Sequence, residues 1–382
     1  MNSTHMTQPV TDHFLKGLPK AELHVHFEGA MDAETWYKIS KRNGVPFPYP
    51  TVAEAKKAFV FKDLLSFLVL ADGAVECLMT EEDFYEVAWD YMVHAQKDNV
   101  RHIELTWGPT LFTPRGVTIE TQINGLMRAF DRAAVEFDMT GGIIWTFIKS
   151  HSTELNMSAL KDSEPFKHRI LGVGMAGAEV GNPPHKYVTL YQQAKEMGYR
   201  LTGHVGEQGG SAHHVWEALE LLGLERIDHG VAVKDDPKLM EHIAKNNIHL
   251  TMCPCSNLCL NVYNHCRDGP YRRFYDAGIS FSLNSDDPPF FNNFMYDNYK
   301  AVNDVEEFKW TRADWLKIAS EGFKNAWLDD ASKDKYLAEV VAWGELSDEQ
   351  MEAQAGSLDK ILCKRHTGLG KGSTFEEETP LS

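Results

Sequence analysis

Basic residues are scarce in this chain: 38 Lys and Arg face 55 Asp and Glu over 382 residues, a formal net charge of −17. Affinity for nucleic acid rests on Lys and Arg placed at phosphates, so a polyanionic partner is excluded. Cysteine is scarce too, and six in so long a chain do not make a disulfide framework. The longest apolar stretch, 64–79, is broken by Ser66, Asp72, Gly73 and Glu76, so nothing reads as a membrane span. A secretory leader is not expected either. Residues 1–12 are polar and read as a disordered tag, in which Met1 to Met6 looks like a cloning scar before a second start. What remains is a soluble, globular chain with 43% hydrophobic residues, suited to a reducing, cytoplasmic compartment.

The stretch Lys20-Ala21-Glu22-Leu23-His24-Val25-His26-Phe27-Glu28 departs from an ordinary half-buried strand. Leu23, Val25 and Phe27 alternate with His24 and His26, so a strand here carries apolar groups on one face and two imidazoles on the other. Imidazoles spaced by two on a strand converge on one point, as the ligands of a metal ion must. Two hydrogen-bonded histidines on an exposed face remain the plainer alternative at this stage.

Seven more short apolar segments follow: 102–107, 142–150, 169–177, 201–207, 226–231, 248–253 and 279–286. Amphipathic helical stretches separate them, including 118–136, 185–197, 212–222, 237–245 and 269–277. Eight strands alternating with helices predict an α/β fold, a (β/α)8 TIM barrel spanning 13–344. Between the first two strands the pattern predicts helices at 32–42, 52–59, 62–70 and 81–96, a helical insertion large enough for a lid or a subunit contact. Extra helices are expected at 295–303, 311–326 and 330–343. Residues 345–382 are expected to form a C-terminal helix, 347–364, and a disordered Gly-, Thr- and Glu-rich tail.

In such a barrel the working side chains sit at the C-terminal ends of the strands. The first strand ends with His24 and His26, the fifth with His204-Val205-Gly206-Glu207, the sixth with Asp228-His229-Gly230 and the eighth with Ser285-Asp286-Asp287-Pro288. Histidines with a carboxylate form an N/O donor set suited to zinc. Glu207, three residues past His204, is placed to carry protons beside the metal.

These motifs, with Pro19-Lys20-Ala21-Glu22 ahead of the histidine pair and Ser282-Leu283-Asn284 ahead of Ser285, resemble the adenosine/adenine deaminases of the amidohydrolase superfamily, from about Leu18 to Trp343. The resemblance implies one zinc ion held by His24, His26, His204 and Asp286. It implies that Glu207 protonates purine N1, that His229 orients the attacking water and helps remove its proton, that Asp287 bonds the imidazole side of the base, and that the Gly177 N–H meets N3. The implied reaction is hydrolytic deamination of a small purine, a purine salvage step.

Glu28 is the informative departure. Adenosine deaminases usually carry Asp at its position, where it meets a ribose hydroxyl; the longer Glu projects into the ribose volume and is usual in the adenine deaminase branch. Glu179-Val180-Gly181-Asn182-Pro183-Pro184 also resembles that branch. Gly174-Met175-Ala176-Gly177 pulls the other way, because it lacks the acidic residue common in this turn, and flexible Met175 is expected to reshape the pocket. The resemblance therefore implies free adenine as substrate and hypoxanthine as product. Adenosine and N6-substituted purines stay open, as does a purine-binding protein without catalysis, against which Glu207 and His229 argue.

Other signals are discounted. His102-Ile103-Glu104 and Pro254-Cys255-Ser256-Asn257-Leu258-Cys259 share letters with the H-x-E and P-C-x-x-C deaminase signature, but the cysteine spacing is wrong and the halves lie about 150 residues apart. Cys253, Cys255, Cys259 and Cys266 read as structural thiols rather than a metal site, His213 and His214 as solvated or in contact with a loop, and His151 as structural. Phe61, Leu64, Leu65, Phe67 and Leu68 read most simply as an apolar helix face, with a roof over the active site as the functional alternative.

Overall fold

A computed structural model describes residues 9–208 and 211–354. Eight parallel strands form the barrel: β1 (Lys20–His26), β2 (Val100–Trp107), β3 (Thr140–Ile148), β4 (Ile170–Ala176), β5 in two pieces (Arg200–Leu201 and His204–Val205), β6 (Arg226–His229), β7 (His249–Met252) and β8 (Phe281–Leu283). Each pairs with its sequence neighbour, as βα units require.

The ladder of β5 is interrupted at Thr202 and Gly203, and the backbone still bridges both neighbours. Thr202 N–H donates to Val173 O at 2.9 Å, and Asp228 N–H donates to Gly203 O at 3.0 Å. A side chain at Gly203 would meet the Tyr191 hydroxyl at 2.8 Å, which is why the strand narrows there. The final seam closes β8 onto β1: His26 N–H donates to Asp286 O at 2.8 Å, and Asp286 N–H to His24 O at 3.0 Å. Closure of the barrel therefore places Asp286 between the two histidines of β1.

Strands 1, 3, 4 and 7 and helices 237–245 and 295–303 lie where the pattern predicts within a few residues. The eighth strand is much shorter than 279–286, because the chain leaves the sheet after Leu283 to turn its functional residues over the barrel mouth. The insertion contains α1 (Ala33–Asn43), α2 (Val52–Ala58), α3 (Leu64–Val75) and α4 (Glu81–Lys97). Asp32, Thr51, Asp63 and Thr80 cap their N-termini with side-chain oxygens, which explains why each helix starts there. The expected C-terminal helix is present from 348 to 354; its remainder, the tail and residues 1–8 lie outside the described residues.

The lower end of the barrel is closed by polar groups that the sequence marks only as charged. Glu104 and Arg226 are fully buried, with Nη1 and Oε2 2.7 Å apart. Glu104 Oε1 also accepts from the Trp327 N–H and lies 3.3 Å from His102 Nε2. These contacts hold the carboxyl at about 2, outweighing the upward push of burial. Arg226→Met is expected to cost ~3–5 kcal/mol, because it strands a buried carboxylate. The measurement is denaturant unfolding at neutral pH.

Candidate active site

The strand ends bring three imidazoles and a carboxylate to one point. His24 Nε2 and His26 Nε2 each lie 3.0 Å from His204 Nε2, and each lies 3.2 Å from Asp286 Oδ1. Donor atoms bound ~2.0–2.2 Å from one ion are necessarily separated by ~3–3.5 Å, so these edges fit a shared coordination sphere. Hydrogen bonding alone does not account for them. An imidazole nitrogen has one proton or one lone pair, and His204 Nε2 faces two other imidazole nitrogens at the same distance. A divalent cation satisfies all four donors at once.

Surrounding hydroxyls set the tautomers. Thr106 Oγ1 donates to Val25 O at 2.9 Å, so at 2.9 Å from His26 Nδ1 it accepts that nitrogen's proton. Thr251 Oγ1 donates to Asp228 Oδ1 at 2.9 Å and likewise accepts from His24 Nδ1 at 3.0 Å. Once the rings are neutral, both Nε2 lone pairs face the cluster, the arrangement that orients metal-binding imidazoles. Thr106 and Thr251 escape sequence reasoning as functional residues, and Asp228 enters it only within the strand-end motif, without the role of holding Thr251. The available signal is their parity with the inward-facing positions of β2, β7 and β6.

All nine sequence-predicted residues gather at this end of the barrel. His24 lies beneath the floor, fully buried, whereas His26, Glu28, Gly177, His204, Glu207, His229, Asp286 and Asp287 line a cavity of about 460 Å3. His229 Nε2 stands 3.7 Å from Glu207 Oε1 and 3.8 Å from Asp286 Oδ2, beyond the closer ring of four. His229 (φ +64°) and Asp286 (φ +67°) hold left-handed backbone that residues with a Cβ seldom adopt, and both are turned inward at strand ends. Gly29 is required by packing: a Cβ there would lie 1.8 Å from Asp287 Oδ1.

Burial sorts the proton affinities. It pushes the Glu207 carboxyl up to about 8, with the charges of Asp286 and Glu179 adding to the effect, so Glu207 carries a proton at neutral pH. It pulls His229 down to about 3, leaving the imidazole neutral. Asp287 is raised by burial and by the adjacent Asp286 charge. Glu28 is raised by burial, although its Oε1 accepts the Gly108 N–H at 2.7 Å.

The insertion supplies the roof. Leu64, Leu65, Phe67, Leu68 and Asp72 of α3 line the cavity opposite the histidines, which favours the roof alternative for this apolar face. Phe67 packs against Phe291 with ring centroids 4.9 Å apart, and Phe59 against Phe290 at 4.6 Å. Gln208 ties the roof down, accepting the Leu64 N–H at 3.3 Å and donating to Leu260 O at 2.8 Å.

Met175 corrects an expectation. It is buried on the outer face of β4 beside Gly203, away from the cavity, and strand parity gives the lining position to Ala176 instead. The turn therefore presents a small side chain to the cavity rather than a flexible one. Lys149, Glu179 and Asp72 were not singled out for function from sequence, yet they stand in or just behind the site. The discounted groups behave as structural: His151 Nδ1 pairs with Thr110 Oγ1 at 2.8 Å, and Cys253, Cys255, Cys259 and Cys266 are free thiols.

One pH dependence follows. Burial pulls the His26 imidazole down, but Asp287 and Asp286 outweigh it and raise it to about 10. Metal and proton compete for the same nitrogen, and binding releases the proton. Metal affinity is therefore expected to rise with pH from about 6 toward 10, measured by titration against a competing chelator; affinity falling over that range would contradict the assigned ligand.

The adenosine deaminase family profile matches residues 19–343. The chain is 40% identical over 326 residues to an adenine deaminase of Cupriavidus taiwanensis, covering 85% of this chain and 92% of that one. It is 33% identical to an adenine deaminase of Wolinella succinogenes, covering 87% of this chain and all of that one. The crystal structure of adenine deaminase from Arthrobacter aurescens superposes with a TM-score of 0.83 at 33% identity, covering 86% of this chain and 100% of that chain. Similarity of this extent over nearly the whole barrel leaves one assignment: the chain belongs to the adenosine deaminase family.

Proposed function

We propose that this enzyme hydrolyses free adenine to hypoxanthine and ammonia, a step of purine salvage, with residues 13–344 as the catalytic unit. The geometry that carries the reaction sets the His229 imidazole and the Glu207 carboxyl 3.7 Å apart beside the four-donor cluster. Deamination needs a base on the water and an acid on the ring, and opposite pKa shifts in neighbouring groups supply that pair. Relatives named adenine deaminase support the choice of substrate.

His24, His26, His204 and Asp286 would hold zinc, which the three-nitrogen, one-oxygen donor set suits. Bound there, zinc acts as a Lewis acid and lowers the pKa of water to roughly 7. Glu207 donates its proton to N1 and makes C6 electrophilic. His229 accepts a proton from the attacking water as oxygen bonds to C6. Collapse of the tetrahedral carbon breaks the C6–N6 bond: His229 returns its proton to N6, which leaves as ammonia, and the C6 hydroxyl gives its remaining proton to Glu207 as the C6=O bond forms. Asp287 and the Gly177 N–H hold the imidazole edge and N3, while the apolar roof from α3 keeps out bulk water. Glu28, anchored by the Gly108 N–H, occupies the volume a ribose needs. The five described cysteines are free thiols, which suits a reducing, cytoplasmic compartment.

Glu207→Gln is expected to keep its metal and lose at least ~100-fold in kcat, since general acid–base assistance contributes roughly 10²–10⁴. Near-normal turnover would remove Glu207 from the mechanism. In spectrophotometric assays of the metal-replete enzyme, adenine should give a higher kcat/KM than adenosine or N6-methyladenine. Equal or faster turnover of adenosine overturns the substrate assignment. Glu28→Asp should improve the KM for adenosine, and no change would count against exclusion of ribose by Glu28.

A further inference from the structure

The turn that carries Glu207 is held from behind by a second carboxylate. Glu179 is 3% exposed and does not line the cavity. Its Oε1 accepts the Gly206 N–H at 2.8 Å, and its Oε2 accepts the Glu207 N–H at 3.1 Å. Gly206 has φ +69°, and successive N–H groups around a left-handed residue form a concave anion cradle. The anion in this cradle belongs to the chain itself. Gly206 also has no room for a side chain, because a Cβ would approach Val215 Cγ2 to 2.8 Å.

The same loop carries Gly177, two residues before Glu179, at φ +103°. One short segment after β4 thus both lines the purine cavity and grips the backbone of the proton carrier. Lys149, 5% exposed at the end of β3, completes the support. Its Nζ donates to His204 O at 2.9 Å, and its N–H donates to Ala176 O at 2.9 Å. Burial lowers the proton affinity of its ammonium group, against the opposing charges of Glu179 and Glu207. His214 Nδ1 stands 3.7 Å from Glu179 Oε1.

We propose that Glu179 is a positioning residue for the deamination: it fixes the Gly206–Glu207 backbone so that the Glu207 carboxyl meets the purine ring nitrogen, and it acts on the reaction only through Glu207. This rests on the role given to Glu207 above. A carboxylate suits the place better than an amide, because both atoms opposite the two N–H groups must accept, and the amide of glutamine turns one donor against another.

The experiment is a double-mutant cycle on the zinc-loaded enzyme with adenine as substrate, with metal content and Tm recorded for each variant. Glu179→Gln is expected to lower kcat ~10–100-fold, the scale of a sub-ångström to one-ångström misplacement, with KM changed little and metal retained. Glu179→Asp keeps the charge with a shorter reach and should recover part of the loss; it enters the same cycle if the Gln variant does not fold. Combined with Glu207→Gln, either Glu179 substitution should cost nothing further in kcat, because the group through which it acts is already disabled. A purely structural role predicts additive losses. Additive losses, an effect confined to KM, or undiminished kcat in the Glu179 variants would overturn the inference while leaving the role of Glu207 intact. Near-normal turnover in Glu207→Gln alone would overturn that role and this inference together.

Discussion

Four donor atoms on three strand ends cannot sit 3.0–3.2 Å apart around one point unless something positive lies among them or the scaffold forces them there. Here the scaffold does much of the forcing. The seam between the last and first strands is made by His26 N–H to Asp286 O and Asp286 N–H to His24 O, so the hydrogen bonds that close the barrel also assemble its ligand cluster. Asp286 accepts a left-handed backbone to do so. The turn before it is clamped by Glu22, whose carboxylate takes the Ser285 N–H at 3.0 Å and the Ser285 hydroxyl at 2.9 Å. Glu22 is buried and raised to about 8 by that burial, a cost accepted where a fixed turn matters more than an easily ionised carboxyl.

Around this cluster, chemically similar groups acquire different tasks from their surroundings. Four carboxyls, Glu28, Glu207, Asp286 and Asp287, line one cavity. Asp286 faces three histidines and is held well below the usual carboxylate range although burial opposes it. The other three lack such compensation and rise. The outcome is one carboxyl held below the usual range beside three whose proton affinities are raised, so like groups in one cavity are pushed apart by their surroundings. The roof contributes by exclusion, since an apolar cover keeps water from screening these charges.

The polar groups at the two barrel ends follow opposite rules. At the lower end, Glu104 pairs with Arg226 and His102, and Lys20 Nζ donates to the carbonyls of Leu18 and Asp98 at 2.8 Å and Lys16 at 3.0 Å. At the upper end, the groups point at a cavity and leave each other's demands unmet. Stability is concentrated where charges are paired, and chemistry where they are not.

The sequence by itself determined the number and order of strands and the residues at their ends, because alternation in β1 and the clustered His, Asp and Glu after later strands are local patterns. It also marked Glu28 as a departure, since that comparison needs only one position. It did not reveal that Met175 faces outward and Ala176 inward, because a strand buried on both faces carries no polarity contrast from which to read parity. Nor did it mark Thr106 or Thr251, or give Glu179 and Asp228 roles beyond membership of their motifs, because the roles of all four consist of contacts to backbone and side chains distant along the chain. Tertiary structure alone decided these: a hydrogen bond across a barrel depends on which strands become neighbours, and no local pattern encodes a partner that closure brings from more than two hundred residues away, as it does for Leu23 and Asn284.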